Sequence, residues 1–419
     1  MADRFQLKRD TSNNWTNNDP ILGQGEPGFE TDTGRLKIGD GSNKWSVLGY
    51  ISDAQAALAS SPNYYDRDYH PKVKDNSTSA GRYTLVMPKQ LIVNIGSGYS
   101  WNLNAPLYID LSDSSNWDDT SGTDWTTASN RAGKDFYIYA VHPNSGNVPD
   151  IVLSDNNTSP DGYTTSDSRK IGGFHCLCTD IGTNTYGYDN TAGDDLSILD
   201  DFFETHNISG TTHWLEGFVQ GDVIPFSIWD IDHRPKSNPE GMTFDPAYRL
   251  WVDIYLASEN NGALESIYNA TTADGDNGWH QYRFQQVLGR IGKMLPRQDE
   301  FVSFSLGSPQ GVNISGSSDP GTTGGHTATD GKRIVSLIGV EDATGVLWQW
   351  GREGGATNDV GSSDSDAYDS NDNNVAGQHY EAPNRPRFGG DWDDGAICGS
   401  RGSSWSTPAL ALGASYGGR

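Results

Sequence analysis

Cysteine is scarce in this chain: Cys176, Cys178 and Cys398 are the only three among 419 residues, too few for a disulfide framework. Cations are scarce as well, with 29 Lys and Arg against 55 Asp and Glu, a net charge of −26. A surface of that sign repels phosphates and anionic headgroups, so neither nucleic acid binding nor membrane insertion is expected. Apolar runs such as Leu91–Ile95 fall far short of a membrane span. No heptad pattern persists long enough for a coiled-coil shaft. Met1-Ala-Asp-Arg4 is charged at once with no apolar stretch behind it, so no secretory leader is expected. The loop Gly321–His326 lacks the Gly-Lys-Ser/Thr of a phosphate loop and reads as a plain connection. The acidic excess accounts for solubility and leaves room for a divalent cation such as calcium.

Large aromatics are plentiful: 13 Trp, 19 Tyr and 13 Phe concentrate burial in a chain that is only 34% hydrophobic. Fifty Gly and 19 Pro imply many turns and a mainly β architecture with some α. Phe29–Thr31 and Arg35–Ile38 alternate around Asp32-Thr33-Gly34, a hairpin signal. Ser52 and Gln55 have capping-box spacing before a short Ala-rich helix. Strands are expected at Arg82–Met87, Gln90–Ile95, Leu107–Leu111, Asp135–Val141, Val219–Trp229 and Arg249–Leu256. The polar insert Ser112–Ala132 reads as a long loop with Trp117 and Trp125 exposed or half-buried. Leu196–Phe203 is a helical candidate. Trp279–Leu295 is the strongest helix, with Tyr282, Gln286, Leu288, Ile291 and Leu295 at helical spacing and Pro296 as the stop.

From Arg385 onward the sequence sets aromatic, acidic and hydroxyl side chains among glycines, the vocabulary of recognition loops. The run from Arg333 to Trp350, with Phe388-Gly-Gly-Asp-Trp392 and Gly399-Ser-Arg401, resembles the C-type-lectin-like domain of phage tropism determinants. Residues 232–242 resemble the same relatives. Residues 4–50 resemble the short N-terminal module of tropism determinants and tail-fibre proteins. A module of about 50 residues buries little surface alone, so association is expected; the resemblance implies a homotrimer.

The implied organisation is an N-terminal trimerising β-module over 1–51 and a short helix and linker over 52–63. A β-sandwich-like middle domain follows over 64–165, then a C-type-lectin-like α+β domain, similar also to formylglycine-generating enzymes, over 166–419. In relatives, ligand contacts follow Gly-Gly and surround Gly-Ser-Arg. The matching positions here are Asp391, Asp393, Asp394, Ile397, Ser403, Ser404, Trp405, Thr407, Ala409 and Tyr416. Trp392 and Arg401 belong to the motif and read as structural, and Trp348 and Trp350 as packing beneath the loops.

Other constellations are weaker. Asp369, Asn371 and Asn373 match spaced positions of a calcium loop, but Asn374 stands where Gly is needed and Glu381 falls one step late. Asp230, Asp232 and His233 form either an acid–base or metal cluster, or a strand end running into Pro235. Cys176 and Cys178 would share a strand face, or are plain core residues. Formylglycine generation needs paired thiols, and Cys398 stands alone in its region. The expectation is a non-enzymatic phage tail-fibre or tail-tip adhesin, made in a bacterial cytoplasm and carried on the virion. It would meet a host-surface protein or glycan receptor and other tail or baseplate proteins, with no required cofactor. The rival reading is a tail-associated polysaccharide-degrading enzyme.

Overall fold

The structure is a computed structural model. It describes residues 8–33, 35–48, 70–87, 92–95, 99–102, 106–118, 122–142, 149–186, 188–189, 196–206, 211–354, 363–364, 379–380 and 384–419. The chain divides into two compact units, Met1–Asp66 and Arg67–Arg419.

In the first unit the Thr11 hydroxyl caps the helix Ser12–Asn18 by accepting the Asn14 N–H at 3.3 Å. The helix lays Trp15 against Trp45, ring centroids 4.2 Å apart, and Leu22 completes this small core. Strand Lys8–Asp10 runs parallel to Pro27–Glu30, which pairs antiparallel with Leu36–Ile38. The expected hairpin therefore forms. The expected helix over 52–63 lies outside the described residues.

The second unit is a set of small sheets. Asp150–Ser154, Asp135–Val141, Ser168–His175 and Trp229–Asp230 form one four-stranded sheet, in that order. Phe203–Thr205, Lys72–Asp75, Thr84–Met87 and Leu107–Asp110 form another. Both sheets draw strands from either side of residue 166.

Several expectations shift. Leu196–Phe203 is a 3-10 turn over Ser197–Asp201 leading into strand Phe203–Thr205. Phe203 is drawn into parallel pairing with Val73, and tertiary pairing overrides its local helical spacing. Val219–Trp229 is no continuous strand: Val223 makes an isolated antiparallel bridge to Cys176, Pro225, which has no N–H, starts a 3-10 turn at Pro225–Ser227, and Trp229–Asp230 pairs as a short strand. Trp117 and Trp125 are buried, each edge-on to Phe136. The strong helix is shorter than expected, Gln281–Arg290, and buries Phe284 with Leu288. These two pack with Trp279, Leu295 and Trp350.

Beneath the aromatic core lies a buried polar one. Arg333 Nη2 donates to both oxygens of Glu341 at 2.8 and 2.7 Å. The Arg419 guanidinium donates to the carbonyls of Asp253, Ile254 and Glu341 and to Gln349 Oε1. The loop at Gly324 and His326 is held by Asp342, through the Gly324 N–H at 2.6 Å and His326 Nδ1 at 2.9 Å.

Candidate functional site

The terminal surface is built on a four-stranded sheet in the order Gly399–Pro408, Asn384–Gly389, Trp348–Trp350, Tyr416–Gly417. Its inner strand is fixed first. Trp348, Gln349 and Trp350 are all buried. Arg387 stacks over Tyr416 at 3.9 Å and over Trp348 at 5.2 Å. Phe388 packs against Phe301 of the helix Gln298–Phe304, centroids 5.3 Å apart.

The Gly-Gly pair then releases the chain from the sheet. Gly389 and Gly390 have φ of 95° and 80°, and a Cβ on Gly390 would lie 2.7 Å from Cys398 Sγ. Only glycine combines that conformation with that approach. The loop that follows closes on itself. Asp391 Oδ1 accepts the Asp393 N–H at 2.9 Å, and Asp394 Oδ2 accepts the Asp391 N–H at 3.1 Å. Burial raises the Asp394 carboxyl, with the Asp391 charge adding to the rise.

The return strand Gly399–Pro408 lies at the sheet edge and is bulged. Phe388 pairs with Ser403, whereas the next residue, Gly389, pairs with Gly399. Three residues, Ser400 to Gly402, are therefore extruded between adjacent partners. Ser400 pins the bulge: its N–H and Oγ bond the Gln310 side chain at 2.9 Å each, and its Oγ–H donates to the Ser305 carbonyl. Arg401 is consequently turned to solvent. A Cβ on Gly402 would lie 2.7 Å from the Ile397 carbonyl, which places the loop against the bulge. Beyond it, Trp405 meets Phe388 edge-on at 6.4 Å, and the Gln298 side chain reaches Ser403 Oγ at 3.3 Å.

The ten expected contact residues do not all share this surface. Asp393, Ile397 and Ser403 are exposed, with Ile397 at 57%, and Asp394, Ser404, Trp405 and Tyr416 are half-buried. Asp391, Thr407 and Ala409 are buried, Ala409 at 1%. The Ala409 carbonyl accepts the Gln281 N–H and so serves the fold. Tyr416 is occupied by Arg387 and by Trp350, 5.6 Å away. Exposed residues outside the expected set include Ala396, Ser406, Pro408 and Leu412, and also Arg401, whose place in the motif suggests a structural role. Arg401 and Ser406 have opposite parity along the strand, and a second register shift, opposite Arg385–Arg387, lies between them, so simple alternation does not predict both.

The remaining candidates resolve into structure. Asp230 Oδ1 accepts the N–H groups of Asp232 and His233 at 2.9 and 2.6 Å, so this cluster is a turn. Strand Ser168–His175 ends before Cys176 and Cys178. Burial pushes the Cys176 thiol up to about 12. Cys178 donates to Glu341 and Cys398 to the Asp391 carbonyl, so these two thiols have separate surroundings. The calcium-like stretch at Asp369, Asn371 and Asn373 lies outside the described residues. Among the described residues no group of three or more His, Cys, Asp or Glu is placed to hold a metal, and no helix is long and apolar enough to cross a membrane.

Comparison with known proteins bears on the whole chain. Residues 5–43 match the family model of the major tropism determinant N-terminal domain, and residues 92–198 match that of the Mtd second domain. A tail fiber receptor-binding protein of Bordetella phage BPP-1 is 32% identical over 319 residues, 70% of this chain and 72% of the relative. A hyaluronoglucosaminidase of Streptococcus pyogenes phage H4489A is 51% identical over 49 residues, only 12% of this chain and 13% of that protein. The solved major tropism determinant U1 variant covers 99% of this chain and 98% of its own, with TM-score 0.62 at 23% identity, a shared fold. The chain belongs to the major tropism determinant family, the tail-fibre receptor-binding proteins of phages.

Proposed function

We propose that this tail-fibre protein meets its host receptor, a surface protein or glycan, through the 391–398 loop and the outward residues of strand Gly399–Pro408. The region from about 166 onward would act as a C-type-lectin-like head. The observation that carries this reading is the bulged edge strand. Its backbone is anchored from behind by Gln310, Ser305, Phe388 and Phe301, while Asp393, Ile397, Arg401, Ser403 and Ser406 stand exposed. A rigid base under adaptable polar side chains with one aromatic, Trp405, suits recognition. Mechanistically the step is non-covalent adhesion. Trimerisation through the N-terminal module would multiply weak single-site affinity by effective concentration, and attachment to other tail proteins would present the site on the virion.

The test is binding of labelled full-length protein to candidate host cells, alongside a variant in which Asp393, Arg401, Ser403 and Trp405 are all replaced by Gly. Loss of binding with unchanged melting temperature and oligomeric state supports the assignment. Equal binding moves recognition elsewhere on the chain.

A further inference from the structure

A second surface, of different chemistry, lies across the loop 231–240. Asp230 folds this loop through the two N–H bonds described above, and the Asp230 N–H closes it on the His233 carbonyl at 3.0 Å. One side of the loop meets Trp251, Lys293, Met294, Glu300 and Arg352 in a cleft of about 270 Å³. The other side meets Tyr137, Lys170, Trp229 and Glu240 in a second cleft. Pro235, Lys236 and Ser237 line both. One apolar cluster joins the clefts: Trp251 packs against the group formed by Tyr137, Tyr139, Val141 and Trp229.

The charge of this surface is opposite to that of the chain. Lys170, Arg234, Lys236, Lys293, Arg352 and the buried Arg419 line the clefts with Glu240, Asp253 and Glu300, six cationic side chains against three anionic ones, on a protein of net −26. Two cations are matched, Lys293 with Asp253 at 2.6 Å and Arg352 with Glu300 at 2.7 Å. Glu240 accepts the Tyr137 hydroxyl, and Lys170 Nζ lies 4.3 Å over the Tyr137 ring. Arg234 and Lys236 stand exposed on the loop. Met294, 63% exposed, adds an apolar patch beside Trp251.

The half-buried Trp251 ring and the Met294 thioether suit the C–H face of a pyranose ring, and paired carboxylates and cations suit its hydroxyls. The surplus cations suit a carboxylate or phosphate on that ring. We propose that the paired clefts flanking Lys236 form a binding site for an acidic sugar, a pyranose bearing a carboxylate or phosphate group. The site is separate from the terminal strand, and neither depends on the other being correct.

Isothermal titration of the full-length protein tests this with four probes: 3′-sialyllactose against lactose, and glucose 6-phosphate against glucose. The expected result is that at least one acidic sugar binds about tenfold or more tightly than its neutral counterpart, with Kd on the order of 1 mM or below. Its binding should weaken as salt rises through the screening range. Whichever acidic sugar responds identifies the carboxylate or the phosphate as the recognised group. The double variant Arg234→Glu, Lys236→Glu should lose about tenfold or more at unchanged melting temperature, because both side chains are exposed. A Ser403→Gly, Trp405→Gly variant should keep sugar binding. The proposal is overturned if neither acidic sugar outbinds its neutral form, or if the charge-reversed variant binds undiminished. It is equally overturned if a hexaglutamate peptide binds more tightly than both acidic sugars.

Discussion

Replacing Asp230 by Asn should stabilise the protein above neutral pH. Asp230 is 8% exposed, and burial pushes its carboxyl up to about 7, against the pull of the His233 and Asp232 N–H groups. Its ordinary value is 3.8, so the folded state favours the protonated form. The stability this group contributes is complete below pH 3.8 and is lost as pH rises towards 7. At about 1.4 kcal/mol for each pH unit, the ionised carboxylate costs at most about 4 kcal/mol at alkaline pH. Asp230→Asn removes the charge and keeps an oxygen that can accept both N–H bonds. Thermal unfolding followed by circular dichroism should therefore place the variant several degrees above the parent at about pH 8, with the two converging at about pH 4. Asp230→Ala discards the acceptor as well. Relative to Asp230→Asn it should lose about 1–3 kcal/mol at both pH values, because two buried donors go unanswered. A pH-independent loss of stability in Asp230→Asn would refute the reasoning, because it would mean that the carboxylate charge itself is used.

Other perturbations probe the supports of the two surfaces. Glu341→Gln breaks the two-oxygen contact with buried Arg333 and should cost about 3–5 kcal/mol in denaturant unfolding. Arg419→Ala strips a shared donor from three carbonyls and Gln349; a loss of about 2 kcal/mol or more is expected, with little recovery in Arg419→Lys. Gly390→Ala meets both a positive φ and the Cys398 sulfur. It should cost about 1–3 kcal/mol and speed hydrogen exchange at residues 391–398. Buried His213 is held neutral, with its pKa lowered to about 4 by desolvation. Its contribution is intact above about 6.5 and lost as pH falls towards 4, so His213→Gln should flatten the acid limb of the melting-temperature profile.

What the sequence shows clearly is what short-range patterning controls. Asp135–Val141 is bounded correctly because seven consecutive residues suit a strand with both faces covered, and all but the first are buried. The helix after Trp279 is evident from its spacing, but its length is not. It ends by Ile291, where Gly289 and Gly292 flank the last turn and lower the propensity to continue. Phe203 was misassigned because its partner, Val73, lies far away in sequence. Resemblance located the terminal surface. It could not separate Ile397, exposed, from Ala409, buried, because the first sits in the 3-10 turn Gly395–Ile397 before the strand and the second follows the strand, where its carbonyl accepts the Gln281 N–H. The paired clefts gather residues from 137 to 419, and no periodicity links them.

The terminal strand separates the residues that hold the fold from those that can vary. An edge strand is a liability, since its free backbone edge invites pairing with other chains. Here serine-rich sequence, the exposed Arg401 and Pro408, and a three-residue bulge blunt that edge. The same bulge frees side chains from packing duty. Trp348, Trp350, Arg387, Phe388 and Ser400 hold the sheet from within, whereas Asp393, Arg401, Ser403 and Ser406 reach solvent. Substitutions at such exposed positions usually change stability by no more than about 0.5 kcal/mol. On the proposed assignment, binding specificity would change across this surface while the fold beneath it stays constant, as long as Gly389, Gly390 and Ser400 keep the backbone in place.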